Sequence, residues 1–230
     1  MMRDHMLKAL LAGVFVFIAP SVAGAKPLFM EDFSDNSAGW SLGPQWQIGS
    51  ATASSGQNFG NPDPSVDHTA GNNNGVAGVA IGGNATNTPH GPFGAYYLTS
   101  PLINTSGGIG TVTLDFYRWL NSDYPTFMYS TVEVSNNFLF NTIYTAPIPG
   151  VTDSAWMLQS FDVTAYKGTF FQLRFGVNVV DNGAFTVSSW NVDDILISDS
   201  TPVPEPGSLP LFGTGIAVMV AAARRKRKIS

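Results

Sequence analysis

The chain has 230 residues, with 11 basic and 16 acidic side chains and no cysteine. Without cysteine there is no disulfide framework, no Cys-ligated zinc, no iron–sulfur cluster and no thiol nucleophile. Charged residues make up only 12 %, aromatics another 12 %, and 24 Gly and 15 Pro supply turn formers, which argues for a β-rich domain over helices or disorder.

The N-terminus carries Arg3 and Lys8, then an uninterrupted apolar run over residues 9–19, then Pro20 and the small residues Ala23-Gly24-Ala25. That order is the n-region, h-region and cleavage site of a secretory signal peptide over 1–25, with signal peptidase expected to cut after Ala25. Residues 26–200 then form one domain with room for a real core. Its basic residues are only Lys26, Arg118, Lys167 and Arg174, while nearly all the acids of the chain fall inside it. A domain this acidic repels nucleic acid and suits divalent cations.

Period-two alternation dominates the middle. In 111–118, Val112, Leu114 and Phe116 point one way while Thr113, Asp115 and Tyr117 point the other. Val132 and Val134 alternate with Thr131, Glu133 and Ser135, and Phe171, Leu173, Phe175, Val177 and Val179 alternate with Gln172, Arg174, Gly176 and Asn178. Shorter strands are expected at 28–33, 40–48, 76–81, 96–100, 157–163 and 188–197. One apolar and one polar face per strand is the pattern of two antiparallel sheets packed over a shared core. Residues 50–94, rich in Gly, Asn, Ser and Pro, read as a long functional loop or a partly disordered one.

The last strand breaks its own parity. Val192 lies an odd number of positions from Ile195 and Ile197, so all three reach the core only if a bulge falls at Asp193-Asp194. Two adjacent carboxylates there repel each other, which makes them candidates for a cation or for bonding to backbone N–H groups.

The C-terminus has three parts in order. Val203-Pro204-Glu205-Pro206 is followed by fifteen residues without a charge (209–223), then by Arg224, Arg225, Lys226, Arg227 and Lys228. Fifteen helical residues span roughly 22 Å against a hydrocarbon core of about 30 Å, enough to halt translocation but short for a permanent span. The basic cluster should stay cytoplasmic and leave the acidic domain outside. This tail resembles the PEP-CTERM sorting signal of Gram-negative bacteria over residues 201–230: a motif, a short transmembrane helix and a basic tail. The resemblance implies recognition by an exosortase near Val203–Pro206 while the tail transiently occupies the inner membrane. It also implies export to the envelope, the cell surface or the exopolysaccharide matrix.

A second resemblance covers the middle. In order come Asp32-Phe33 with Gly39-Trp40, then Trp46 and Pro64-Ser65-Val66-Asp67-His68-Thr69. Tyr97-Leu98-Thr99-Ser100-Pro101-Leu102 follows, then Leu114-Asp115-Phe116-Tyr117, Trp156 and Val192-Asp193-Asp194-Ile195. Together they resemble the MAM domain and its bacterial relatives in the cleaved-adhesin or choice-of-anchor J group. The resemblance implies an all-β jelly-roll β-sandwich and an adhesive or recognition role without catalysis. Many MAM domains carry disulfides, which this chain cannot form. In these jelly rolls a structural cation often ties the first strand to the last. Residue by residue, that puts candidate calcium ligands at Asp32, Asp67, Asp193 and Asp194. The alternative is that these acids cap turns or sit in water.

Enzyme readings find little support. Glu31 and Glu133 are the only glutamates of the middle, His68 and His90 its only histidines, and H-E-x-x-H does not occur. His68 beside Asp67 is the one base candidate, although its place in the triplet favours a packed structural role. Tyr117, Trp119 and Tyr124, with Phe127 and Tyr129 nearby, are candidate contacts for exopolysaccharide or surface glycans, since aromatic faces beside Asn and Asp stack on sugar rings. Alternatively, the long loop covers that face of the strand.

Overall fold

Alternation builds the sandwich. Along the strand Val112–Leu120 (β6), Val112, Leu114, Phe116 and Leu120 are buried, while Thr113, Asp115, Tyr117 and Trp119 take the other face. In the computed structural model, residues 25–69, 71, 73–85, 93–180 and 183–200 are described. The signal peptide, His90, the sorting motif Val203–Pro206, the apolar segment and the basic tail lie outside them. No helix among the described residues is long and apolar enough to cross a membrane.

The remaining strands are Lys26–Glu31 (β1), Ser41–Leu42 (β2), Trp46–Ser50 (β3), Gly75–Val79 (β4), Phe93–Thr99 (β5), Met128–Ser135 (β7), Asn141–Thr145 (β8), Met157–Asp162 (β9), Gln172–Val179 (β10) and Trp190–Asp199 (β11). Sheet A runs β3-β4-β11-β6-β9, with β1 also paired to β11, and sheet B runs β2-β5-β10-β7-β8. All pairings are antiparallel. From β4 to β11 the chain crosses between sheets at every step except β7 to β8, which makes the fold an all-β jelly-roll sandwich. Lys26 pairs with Asp199, so both ends of the domain leave at one pole.

The inner faces meet in an aromatic core. Phe175 of β10 packs edge-on to Trp190 of β11 at 5.6 Å and 89°, Trp190 meets Trp46 at 5.8 Å, and Trp40 stacks on Phe175 at 6.5 Å. Each such ring withdraws roughly 150–250 Å² from water, so this cluster carries much of the stability.

Two boundaries differ from the sequence reading. The expected strand over 40–48 is split into β2 and β3 by a turn in which Trp46 N donates to Gly43 O and Gln45 adopts φ 80°. An added Cβ at Gly43 would come within 2.8 Å of the Tyr97 backbone, so the close approach itself selects glycine. The strand β8 was not anticipated: it is a short edge strand, largely exposed on both faces, so it shows no alternation to read.

The expected bulge is present. The register of β11 against β6 shifts between Asp193 and Leu196, Asp194 turns to φ 47°, and Val192, Ile195 and Ile197 are all buried. Along its other edge β11 pairs first with β4 at Asn191 and Val192, then with β1 from Ile195 to Asp199. The bulge therefore sits where one neighbour hands over to the next.

Candidate functional site

The Asp-His-Thr triplet and the Asp-Asp bulge, far apart in sequence, meet at that handover. The Asp193 side chain is buried, and its Oδ2 accepts from His68 N at 2.8 Å and Thr69 N at 3.3 Å, while Oδ1 accepts from Asp194 N at 2.8 Å. Burial pushes its carboxyl up to about 7, against the pull of those N–H groups. The Asp194 carboxylate takes the other half of the triplet: Oδ2 lies 2.7 Å from His68 Nδ1, and Oδ1 accepts from Thr69 Oγ1 at 2.6 Å. The φ 47° turn at Asp194 lets neighbouring carboxylates face the same loop, where strict alternation would send them to opposite faces.

From there the long loop crosses the outer face of sheet A. The His68 ring stacks on Tyr117, Trp119 Nε1 donates to Pro62 O at 2.9 Å, and Trp156 Nε1 donates to Val66 O at 3.2 Å. Further along, the Asp63 carboxylate accepts from Ser189 N, Ser189 Oγ, Asn191 Nδ2 and Gly82 N. Asp63 is 2 % exposed, and burial, outweighing those hydrogen bonds, raises its carboxyl to about 6. Nothing in the sequence marked Asp63, an isolated Asp between prolines. Tyr117 and Trp119 are thus engaged by the loop. Tyr124 lies elsewhere, stacked on Phe185 at 5.9 Å, which in turn stacks on Phe59 at 4.3 Å. For Tyr117 and Trp119 this contact is the alternative reading, in which the long loop covers that face of the strand.

Calcium takes six to eight oxygen ligands. At this junction the oxygens of Asp193 and Asp194 already receive N–H and O–H donors, and Asp32 accepts from Ser34 N and Asn73 Nδ2. Among the described residues no three Asp, Glu or His side chains are grouped to hold a metal ion. Asp32 and Asp194 line one open cleft of about 540 Å³ together with Glu31, whose own carboxylate is used by Phe33 N and Trp40 Nε1. One acceptor remains: Asp67 Oδ2 is buried without a partner, and burial plus the charge of Asp194 raises the Asp67 carboxyl. Asp32, Asp67, Asp193 and Asp194 are not gathered into one group of three or more among the described residues.

Sheet B presents a different surface. Its outer face is set by rows of cross-strand neighbours: Thr99, Arg174 and Glu133; Tyr97, Gly176 and Thr131; Asn178 and Tyr129. Arg174 Nε donates to Glu133 Oε2 at 2.7 Å, and Thr131 Oγ1 donates to Glu133 Oε1 at 3.0 Å. The guanidinium carbon lies 3.9 Å from the Tyr97 ring centroid and 3.8 Å from that of Phe140. Gly176 makes this possible. A Cβ there would stand 2.7 Å from Tyr97 Cε1 and 2.6 Å from Thr131 Oγ1, so only its absence lets the tyrosine lie across the strand. Tyr129, 42 % exposed, stands on the same face. The alternation of β10 put Arg174 and Gly176 on one polar face, but nothing local in the sequence joined them to Tyr97 or Phe140.

Residues 202–228 match the family model described as the PEP-CTERM protein-sorting motif. The chain therefore carries an exosortase sorting signal, the mark of an exported cell-envelope protein. No curated protein matches the chain. Among solved structures, it is similar to TmCBM61 bound to β-1,4-galactotriose, at 10 % identity and TM-score 0.41, covering 73 % of this chain and 97 % of that one. The CBM22-1 xylan-binding domain of Paenibacillus barcinonensis Xyn10C matches at 12 % identity and TM-score 0.42, covering 79 % and 99 %. SGBP-B from a xyloglucan utilization locus of Bacteroides uniformis matches at 11 % identity and TM-score 0.45, covering 75 % and 49 %.

Proposed function

We propose that this chain is a non-catalytic adhesive recognition module, exported and processed by an exosortase, and that the outer face of sheet B takes a neutral polysaccharide. The observation that carries the reading is Arg174, held flat between Tyr97 and Phe140 and fixed by Glu133. A guanidinium pinned this way loses little freedom on binding, and its remaining N–H groups can meet sugar hydroxyls. Tyr129 offers a ring to the apolar face of a pyranose, and Thr99, Gln172 and Asn178 supply polar contacts along the same strands. The net charge of −5 disfavours a polyanion and favours a neutral glycan. Glu133 is the one carboxylate among these residues and is committed to Arg174, whereas glycoside hydrolysis takes two. The junction of the Asp-His-Thr triplet with Asp193 and Asp194 supports the MAM-like reading as an architectural strap.

Glycan arrays and affinity electrophoresis on the full chain test this. Tyr129→Ala should weaken retention by about tenfold, the equivalent of ~1.4 kcal/mol, with an unchanged melting curve. If no neutral polysaccharide retards the wild-type protein, the binding assignment falls and a purely structural role replaces it.

A further inference from the structure

Around the pole where the domain ends, four large apolar side chains are exposed. Ile109 is 72 % exposed, Leu139 70 %, Phe138 63 % and Phe170 50 %. They come from three connections that the strand registers bring to one end. Val112 at the start of β6 pairs with Asp199 at the end of β11, and Gln172 at the start of β10 pairs with Ser135 at the end of β7. The connections are also tied to each other: Thr105 N donates to Gly168 O, Lys167 Nζ donates to Gly108 O at 3.0 Å, and Ile109 N donates to Asp199 Oδ2 at 3.0 Å. Phe138 and Phe170 touch at 5.9 Å between centroids, and Phe138 is held outward by a backbone at φ 68°. Bulky apolar residues in that conformation are uncommon and are retained only where surroundings or use demand it.

We infer that this pole rests on a membrane surface, with Ile109, Phe138, Leu139 and Phe170 entering the interfacial layer while the tail is anchored. The inference rests on the sorting-signal reading of residues 202–228. The occupant follows from where the chain goes next. The domain ends at this pole, and only residues 201–208 separate it from the uncharged segment 209–223. Eight residues span at most about 29 Å, whatever their conformation. An anchored segment therefore keeps this pole, rather than the opposite one, within reach of lipid. Phenylalanine and leucine on loop tips suit the headgroup boundary. Lys167 is the basic residue of these connections and Lys26 opens β1 at the same pole, against a domain that is acidic overall, so the fit is to a zwitterionic surface and not a strongly anionic one.

The cysteine-free chain allows a direct test. Full-length protein carrying Leu139→Cys, or Thr126→Cys at the opposite pole, is labelled with an environment-sensitive fluorophore and reconstituted into phosphatidylcholine vesicles containing a nitroxide lipid. The label at 139 should be quenched at least twofold more than the label at 126. Adding Phe138→Ser and Phe170→Ser should abolish the difference without moving the melting midpoint. Chains that fail to float with vesicles overturn the anchored-tail premise. Chains that float with equal quenching at both sites overturn the pole alone. An excess at 139 that survives the double substitution assigns the patch to another contact and overturns it as well.

Discussion

His68 lies face to face on Tyr117, ring centroids 3.3 Å apart and planes 14° from parallel, while its Nδ1 stands 2.7 Å from Asp194 Oδ2. One side chain therefore joins the long loop to both β6 and β11. His68→Ala removes the stack and leaves the Asp194 carboxylate short of a partner, an expected loss of about 1–3 kcal/mol. Thermal denaturation reads the loss, and amide exchange at Thr69 should quicken as the strap loosens. A wild-type midpoint would mean the strap contributes nothing to stability.

Asp63 gives the fold a pH dependence of known sign. Its carboxyl titrates at about 6 in the folded chain, raised from 3.8 by burial. Between those values the native state holds a proton that the unfolded chain has released, so stability falls as pH rises from about 4 to about 6 and is flat for this group beyond. The full excursion is about 3 kcal/mol, at ~1.4 kcal/mol per pH unit. Asp63→Asn should reduce the slope in that window relative to wild type in denaturant titrations at successive pH values, leaving the part contributed by Asp193. Parallel profiles for the two proteins would show that Asp63 keeps an ordinary carboxyl.

Chelation tests what satisfies the acids of the strap. Asp193 and Asp194 are already served by the N–H and O–H groups of His68 and Thr69, so removing divalent cations should leave the melting midpoint unmoved. Asp67 Oδ2, buried without a hydrogen-bond partner, is the acceptor open to an ion. A midpoint that falls with chelator, recovers with calcium and ceases to respond in Asp67→Asn would reinstate an ion there. Bound at 100 times its dissociation constant, such an ion would contribute about 2.7 kcal/mol.

Alternation made the core legible. Phe171, Leu173, Phe175 and Val177 read as one face of a strand, and all four are buried. The parity break at Asp193-Asp194 gave away the bulge, because no other arrangement buries Val192, Ile195 and Ile197 together. The partners of those acids were hidden, since His68 and Thr69 lie more than a hundred residues away and meet them only through the crossing loop. Tyr117 and Trp119 lie under the crossing loop, as the alternative reading had it, but their spacing alone does not say which residues cross them. Phe140 and Tyr97 carried no local mark of their shared cation, because cross-strand register appears only once the sheet is assembled.

The face assignment has its own test. Phe175→Ala should cost about 3–5 kcal/mol, since its ring touches Trp40, Phe116 and Trp190. Thr131→Ala, on the outer face, loses one hydrogen bond to Glu133 and should cost about 0.5–1.5 kcal/mol. Urea midpoints that fall by the same amount for both would refute the division into inner and outer faces.

Gly176 separates binding from folding most cleanly. It is buried beneath Tyr97 on the outer face, and an alanine methyl would meet Cε1 of that ring at 2.7 Å and Thr131 Oγ1 at 2.6 Å. Both contacts are closer than real Cβ atoms tolerate, so the ring must lift and part from the Arg174 guanidinium. Overpacking of this kind costs about 1–3 kcal/mol, which leaves the sandwich folded if its stability is ordinary. Polysaccharide affinity should fall by about tenfold or more, the equivalent of ~1.4 kcal/mol. Tyr97→Ala made together with Gly176→Ala should recover part of the lost stability, because the ring clash is gone while the Thr131 Oγ1 contact remains, but none of the affinity. If Gly176→Ala binds glycan as tightly as wild type, the stacked Arg174 is a structural contact and the ligand surface lies elsewhere on the domain.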